Sequence, residues 1–180
     1  MIKLAEKGKF SNLTKIGLVL VIIIAVASIW LVKNNSKKAL IESDRLKADF
    51  SLHTTSIDLE KLRSYGLPIL IDFGADSCIP CKKMAPVLEA LNKKYQGRVI
   101  IKFVDVWKYP EAAEGFPLQV IPTQFFFTAK GGPLLLETKP PFDVNVLSRN
   151  EDGKHILTAH QGSLTKEQLE AAFEKMGMKQ

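Results

Sequence analysis

The stretch that decides the fold of this 180-residue chain is residues 68–82, which read PILIDFGADSCIPCK. Residues 68–73 are almost entirely apolar, so we predict a strand that is buried on both faces. Residues 74–77 are the small and polar residues of a turn, and Cys78 begins a helix with apolar residues at helical spacing. Cys78 and Cys81 therefore stand where a buried strand passes into a helix.

The position of Cys78 at a helix N-terminus favours a reactive thiolate. Unpaired backbone N–H groups and the helix dipole stabilise negative charge there, and such a placement lowers the pKa of a thiol. The thiolate is the attacking species in disulfide exchange. Two intervening residues place Cys81 one turn further along, where it can attack the mixed disulfide formed by Cys78, and Pro80 stiffens this turn. The spacing therefore predicts a redox-active dithiol.

Three other interpretations of the cysteines compete with this one. A static structural disulfide gives no reason for the strand-then-helix setting. A zinc site needs further ligands, and the other candidates, His53, His155 and His160, lack the spacing of a zinc finger. Two inert buried thiols at this spacing would be a coincidence. We therefore expect neither a metal nor any other cofactor.

Asp72 lies inside the apolar strand, before the turn that leads to Cys78. Burial of a lone carboxylate is costly unless the group is paired or protonated. Its functional interpretation is a proton acceptor near Cys81, with a pKa raised by desolvation. The alternative is a residue hydrogen-bonded to the backbone at the end of the strand. The nearby cysteines favour the functional role.

The Ile121–Pro122 bond immediately precedes another apolar strand, residues 123–127. A proline at this place suits a cis bond in a tight turn, the alternative being an ordinary trans proline at a strand start. A cis bond would present the backbone of Ile121 beside the thiols, where an extended substrate could add by strand-like pairing. We therefore predict substrate contacts at Ile121 and Pro122, together with Ile79 and Pro80.

The rest of the chain alternates between strands and helices. The further predicted elements are a helix begun at Ser56 and ended by Gly66, a strand over 99–106, a short helix from Pro110, a strand over 155–159, and a final helix with a capping box from Thr165 to Gln168. Parallel strands need crossovers, whereas the last two strands are joined without a helix and can be antiparallel. The fold class is α/β, a mixed sheet with helices on both sides.

Residues 16–32 form an unbroken apolar run, IGLVLVIIIAVASIWLV. A helix of this length just reaches across the hydrocarbon core of a bilayer, with the flanking Lys15 and Lys33 extended to the headgroups. We predict an uncleaved transmembrane anchor. A cleaved signal peptide is the alternative, because residues 25–27 resemble a cleavage site, but the apolar run continues to Val32.

The predicted organisation is a basic leader over 1–15, the anchor over 16–32, a linker over 33–52 and a folded domain over 53–180, with a loop or hairpin insertion at 129–152. Lysines flank the apolar run on both sides, so charge does not decide the orientation. An N-terminal anchor with a short leader usually keeps that leader on the cytoplasmic side of the membrane. We therefore expect the folded domain outside the cytoplasm, on the periplasmic or outer side of a cell membrane.

The net charge of +6 is a mild surplus, with no basic run and no interleaved aromatic residues. This pattern argues against nucleic-acid binding. Two cysteines are too few for a disulfide-rich scaffold, and a hydrophobic content of 46% predicts that most of the chain folds.

These motifs together resemble the thioredoxin family. The likeness rests on DFGADSCIPCK at 72–82, Pro86, the Ile-Pro-Thr at 121–123 and GSLTKEQL at 162–169. It covers residues 56–128 and 153–176, and it is closest to bacterial membrane-anchored thioredoxin-like proteins.

The resemblance implies a thioredoxin fold in which Cys78 is the nucleophile and Cys81 the resolving thiol. Asp72 matches the buried aspartate of the family, and Pro122 matches its cis-proline. The lysine that the family places near this aspartate corresponds to Lys102 or to a residue next to it.

Two residues depart from the family pattern. Ser77 replaces the usual Trp before the first cysteine, and Ile79 replaces the usual Gly after it, which changes the surface that meets a partner. Strongly oxidising relatives often place His between the cysteines, whereas Ile79-Pro80 carries no positive charge.

We therefore expect a thiol-disulfide oxidoreductase that reduces or exchanges protein disulfides. Outside the cytoplasm such a reductase needs electrons brought across the membrane, and the resemblance implies a membrane thiol reductase as the donor. The alternatives are an anchored binding module without turnover and a maturation factor dedicated to a heme or copper protein.

Overall fold

The computed structural model describes residues 47–135, 142–148 and 153–179, together with Leu20, Ile23, residues 28–30 and Lys33. The chain divides into two compact units, residues 1–46 and 47–180. The predicted leader over 1–15 and most of the predicted anchor over 16–32 lie outside the described residues. Among the residues that are described, no helix has both the length and the apolar character needed to cross a membrane.

The unit formed by residues 47–180 contains a five-stranded sheet. Its strands are β1 (Ile69–Gly74), β2 (Ile100–Asp105), β3 (Thr123–Phe127), β4 (Asn145–Ser148) and β5 (His155–Gln161). Their order across the sheet is β2-β1-β3-β5-β4. β1 and β2 run parallel, and the other neighbouring pairs are antiparallel. The mixed sheet predicted from the sequence is thus confirmed, while β4, inside the predicted insertion, is an additional strand.

The helices that pack on this sheet are α1 (Leu59–Ser64), α2 (Ile79–Lys94), a 3₁₀ helix (Pro110–Ala113) and α3 (Lys166–Lys175). The predicted start of α1 at Ser56 was wrong, because the carboxylate of Asp58 caps the helix by accepting the N–H of Lys61 at 3.0 Å. The predicted capping box of α3 is confirmed, with reciprocal hydrogen bonds between Thr165 and Gln168.

The core lies on both faces of the sheet. On one face, α2 and α3 pack over Leu70, Ile101 and Phe126. The opposite face is covered by Leu62 of α1 and Ala112 of the 3₁₀ helix. The three strands β1, β2 and β3 are buried at every position. Because neighbouring side chains of a strand point to opposite faces, this pattern means that both faces of the sheet are covered there. This double burial explains their nearly continuous apolar sequences.

The outer edge of β2 is paired with the chain segment that precedes α1. The N–H of Phe103 donates to the carbonyl of Leu52 at 2.7 Å, and the N–H of Thr54 donates to the carbonyl of Phe103 at 3.1 Å. Leu52 is buried in the core beneath α2. Residues 47–54 therefore pack as part of the folded unit.

Candidate active site

Cys78 and Cys81 are joined by a disulfide at the N-terminus of α2. Cys78 is the N-cap residue, and its Sγ accepts a hydrogen bond from the backbone N–H of Cys81 at 3.4 Å. First-turn N–H groups have no partner within their helix, so they are available to a sulfur at this position. Pro80 lies in the same turn, where its missing N–H costs no helical hydrogen bond.

An apolar surface surrounds the disulfide. Cys78 and Cys81 are buried, and Ala75 and Ile121 pack against them. Ile79, between the two cysteines, is instead 69% exposed. A partner that reaches Cys78 therefore meets the aliphatic side chain of Ile79 next to the sulfur.

The loop before β3 holds the predicted proline beside the dithiol. The Ile121–Pro122 peptide bond is cis, as the sequence predicts. Two hydrogen bonds fix the loop: Thr123 Oγ1 donates to the carbonyl of Val120 at 2.7 Å, and the N–H of Gly162 donates to the carbonyl of Pro122 at 2.9 Å. The structure thus brings Ile121 and its proline together with the cysteines.

Gly74, the last residue of β1, allows a close approach between the strand and α2. A Cβ at this position would lie 3.2 Å from Sγ of Cys81 and 2.8 Å from Cε2 of Phe103. The sequence predicts a turn at Gly74, and the proximity of this residue to a cysteine could not be predicted from the sequence. A glycine fits here because any Cβ would crowd the side chains of Phe103 and Cys81.

Asp72 is fully enclosed beneath the site, with 1% of its surface exposed. Its Oδ1 accepts a 2.7 Å hydrogen bond from Nε2 of Gln124, which lies directly opposite on β3. Oδ2 has no hydrogen-bond partner within the described part of the chain. Burial raises the pKa of Asp72 to about 7, while the hydrogen bond from Gln124 lowers it. The raised pKa agrees with the prediction, so this carboxyl can change its protonation near neutral pH.

The side chain of Asp72 points toward the helix that carries Cys81. Because strand residues two apart share a face, Asp72 lies on the same face as Gly74, about 7 Å away along β1. Gly74 itself faces Cys81. The amide of Gln124 also donates to Sδ of Met84 at 3.6 Å, one helical turn after Cys81. Both observations place the carboxyl between the sheet and the first turns of α2.

Lys102 does not lie beside Asp72. It pairs in register with Ile71, so its side chain emerges on the opposite face of the sheet from Asp72. Its Nζ donates to the backbone carbonyls of Ala48 at 3.2 Å and Ser51 at 2.7 Å. Burial lowers the pKa of Lys102 to about 8. The lysine therefore binds the segment before α1, and the buried carboxyl is left with an amide as its polar partner.

A second buried carboxylate, Asp105 at the end of β2, holds the loop in front of Cys78. It accepts the backbone N–H groups of Asp76 at 3.0 Å, Trp107 at 3.0 Å and Lys108 at 3.2 Å. Lys108 also forms an ion pair with Asp76. Burial alone would raise the pKa of Asp105, but these backbone donors and Lys108 lower it on balance. Asp105 thus remains ionised and ties two loops together.

Sequence reasoning missed three residues of the site: Gly74, Asp105 and Gln124. Gln124 could have been recognised from the sequence, because it is a polar residue inside an otherwise apolar strand. The same pattern identified Asp72. Asp105 likewise ends a buried strand. Gly74 offers no comparable signal, since its role depends on how closely a helix packs.

Comparisons with known proteins find related sequences. A family model described as Thioredoxin matches residues 56–138. Thioredoxin 1 of Chlorobaculum tepidum is 42% identical over 77 residues, which cover 43% of this chain and 74% of that protein. The thioredoxin of Buchnera aphidicola subsp. Acyrthosiphon pisum is 34% identical over 84 residues, with 43% of this chain and 78% of the relative covered. The solved structure of chloroplastic thioredoxin z aligns with a TM-score of 0.48 at 19% identity, over 69% of this chain and 92% of its own.

Proposed function

The chain belongs to the thioredoxin family and is a thiol-disulfide oxidoreductase, and from this premise we propose that it reduces protein disulfides outside the cytoplasm while anchored in a bacterial membrane. The observation that carries the proposal is the Cys78–Cys81 disulfide at the start of α2, beside the Ile121–Pro122 loop. A disulfide at a helix N-terminus joins two sulfurs of unequal environment, as stepwise thiol exchange requires.

The reaction begins with the reduced dithiol. The Cys78 thiolate attacks one sulfur of a partner disulfide, a Cys78–partner disulfide forms, and the other partner sulfur leaves as a thiolate. Cys81 then gives up its proton and attacks Sγ of Cys78. The Cys78–Cys81 disulfide forms, the partner's second sulfur is released, and two electrons have passed to the partner.

Each protein group has a defined part in these steps. The N–H of Cys81 and the dipole of α2 stabilise negative charge on Sγ of Cys78, which makes Cys78 the attacking thiol. Asp72 accepts the proton of Cys81, since its pKa of about 7 matches the operating pH. The exposed Ile79 and Pro80 and the backbone of Ile121 bind an extended segment of the partner.

The proposed direction and location rest on the sequence. Ile79-Pro80 supplies no positive charge that would stabilise the reduced thiolate further, which favours a reductant over a disulfide donor. The apolar run over 16–32 supports an anchor with the domain on the extracytoplasmic side. Regeneration of the dithiol then consumes two electrons and two protons, which a membrane thiol reductase would deliver.

The test is to trap the intermediate in cells. A Cys81→Ser variant lacks the resolving thiol and should accumulate mixed disulfides on Cys78, whereas a matched Cys78→Ser variant should accumulate none. Isolation of the trapped proteins identifies the substrates, and fractionation of the same cells locates the domain. Absence of any trapped protein, or clients confined to the cytoplasm, would refute the proposal. One trapped client that binds heme or copper would instead indicate a dedicated maturation factor.

A further inference from the structure

The amide of Gln124 is committed to the buried carboxyl. Gln124 and Asp72 have 0% and 1% of their surface exposed and face each other across β3 and β1. One amide N–H donates to Oδ1 of Asp72 at 2.7 Å, and the amide nitrogen also donates to Sδ of Met84 at 3.6 Å. The NH₂ end of Gln124 is therefore fixed by partners on the strand and on the helix.

We propose that Gln124 is the positioning residue of the proton-transfer step, because it occupies Oδ1 of Asp72 and leaves Oδ2 as the atom that receives the proton of Cys81. This inference rests on the proposed role of Asp72. Oδ2 is buried and has no hydrogen-bond partner among the described residues. A carboxylate has acceptor sites on both oxygens, so an oxygen without a donor is the one that is free to be protonated.

No other polar side chain among the described residues donates a hydrogen bond to the carboxyl of Asp72. On β2 the residue in register with Asp72 is the apolar Phe103. His160 of β5, in register with Gln124, is engaged with the backbone carbonyl of Asp143 at 2.6 Å. Of the titratable side chains on the neighbouring elements, Cys81 lies in the first turn of α2, Lys102 lies on the far face of β2, and His160 lies in register with Gln124 on β5. In the disulfide form, burial raises the pKa of Asp72 and the Gln124 hydrogen bond lowers it.

The effect of removing the amide has a definite sign. A hydrogen bond donated to a carboxylate stabilises the ionised form, so its loss makes the carboxyl hold its proton to higher pH. Burial of Asp72 already acts in that direction. Without Gln124 a smaller fraction of Asp72 is ionised at neutral pH, and the step in which Cys81 loses its proton slows there. Attack by Cys78 does not pass through Asp72 and should be unaffected.

The experiment follows the two thiols of the full-length reduced chain as they react with an aromatic disulfide that releases a coloured thiol. The first phase reports attack by Cys78, and the second reports displacement by Cys81. We compare Gln124→Met, which is similar in size but has no donor, with Phe125→Leu, a control on the same strand that faces the opposite side. Gln124→Leu serves if Gln124→Met does not fold. Infrared difference spectra report the protonated carboxyl of Asp72 directly.

The expected result is an upward shift of the pH midpoint of the second phase by about one unit, which lowers the ionised fraction of Asp72 at pH 7 roughly fivefold. The first phase should change by less than about twofold. Phe125→Leu should leave the midpoint in place. In an Asp72→Asn background, Gln124→Met should cause no further change, because the amide acts through the carboxyl.

Two results overturn the inference. An unmoved midpoint in Gln124→Met shows that the amide does not control Asp72, and a shift that persists in the Asp72→Asn background shows that it acts elsewhere. Failure of the proposed function is recognised separately. If Asp72→Asn leaves the second phase unchanged, Asp72 is not the proton acceptor, and if Cys78 shows no first phase, the chain does not exchange disulfides.

Discussion

Asp72 and Lys102 lie on adjacent parallel strands one residue out of register, so their side chains emerge on opposite faces of the sheet. Among the described residues, the buried carboxyl therefore has no ammonium group beside it, and a neutral amide supplies its hydrogen bond. A carboxylate buried in this way destabilises the folded state whenever it is ionised. Asp72 should consequently make the stability of the protein depend on pH near neutrality.

The first prediction concerns Asp72→Asn and stability. The folded-state pKa of about 7 lies above the ordinary aspartate value of 3.8, so the folded state binds the proton more tightly than the unfolded state. Stability is then greatest below the unfolded value and falls as pH rises to the folded value. Asp72→Asn should abolish this fall and stabilise the protein above neutral pH by about 2–4 kcal/mol.

Urea unfolding of the oxidised protein at acidic and at mildly alkaline pH measures this difference. Asp143→Asn, on an exposed carboxylate, serves as the control and should change stability by less than about 0.5 kcal/mol. Equal stabilisation by Asp72→Asn at both pH values would show that the carboxyl is not the source.

A second prediction follows from the contact between Gly74 and α2. In Gly74→Ala the new Cβ meets Cε2 of Phe103 at 2.8 Å and Sγ of Cys81 at 3.2 Å, so the ring or the sulfur must move. We expect a loss of about 1–3 kcal/mol in the free energy of unfolding. Gly132→Ala is the matched control, because a Cβ there has no atom within 4 Å. A Gly74→Ala protein as stable as this control would contradict the packing argument.

The third prediction concerns the carboxylate that ties the two loops. Asp105→Ala leaves the N–H groups of Asp76, Trp107 and Lys108 without this acceptor, which should cost about 2–3 kcal/mol at neutral pH. Asp105→Asn keeps one acceptor oxygen and should cost less. The folded-state pKa of Asp105 is lowered, so its stabilising contribution is present above the unfolded value of 3.8.

Thermal unfolding over a pH series tests both variants. The contribution of Asp105 disappears as pH falls through its folded-state pKa, so the wild type and Asp105→Asn should converge in acid. A difference that is constant down to the lowest pH would mean that the charge of Asp105 plays no part.

A fourth prediction addresses the surface that meets the partner. Ile79→Ser removes the exposed aliphatic group next to Cys78, and we expect KM for a protein disulfide to rise roughly fivefold, equivalent to about 1 kcal/mol of lost apolar contact. The rate with a small aromatic disulfide should hardly change. Leu135→Ser is the control, because this exposed residue follows Leu134, whose N–H donates to Phe126 near the far end of β3. An equal rise in both variants would argue against contact at Ile79.

Much of this molecule could be predicted from local sequence. The strand, turn and helix around Cys78 are encoded by a doubly buried apolar run followed by a capped helix start. The cis bond at Pro122 and the raised pKa of Asp72 also followed from neighbouring residues. Each of these features depends on interactions within a few positions of the chain or on burial alone.

The features that could not be predicted depend on residues far apart in the chain. Gln124 is 52 positions from Asp72 and Asp105 is 29 positions from Asp76, and only strand register brings each pair together. Lys102 shows the same limit, since a shift of one residue decides which face it occupies. The predicted start of α1 was wrong for another reason: Ser and Asp are both good N-cap residues, and the structure uses Asp58, two residues after Ser56.

The sheet edges carry one more consequence. Residues 52–54 already occupy the free side of β2, and β4 occupies the free side of β5. Long bare edges act as templates on which foreign strands stack, and such stacking leads to aggregation. Here the outermost strand, β4, has four residues, which makes a poor template. Among the described residues, the sheet therefore offers little free backbone on which further strands could stack.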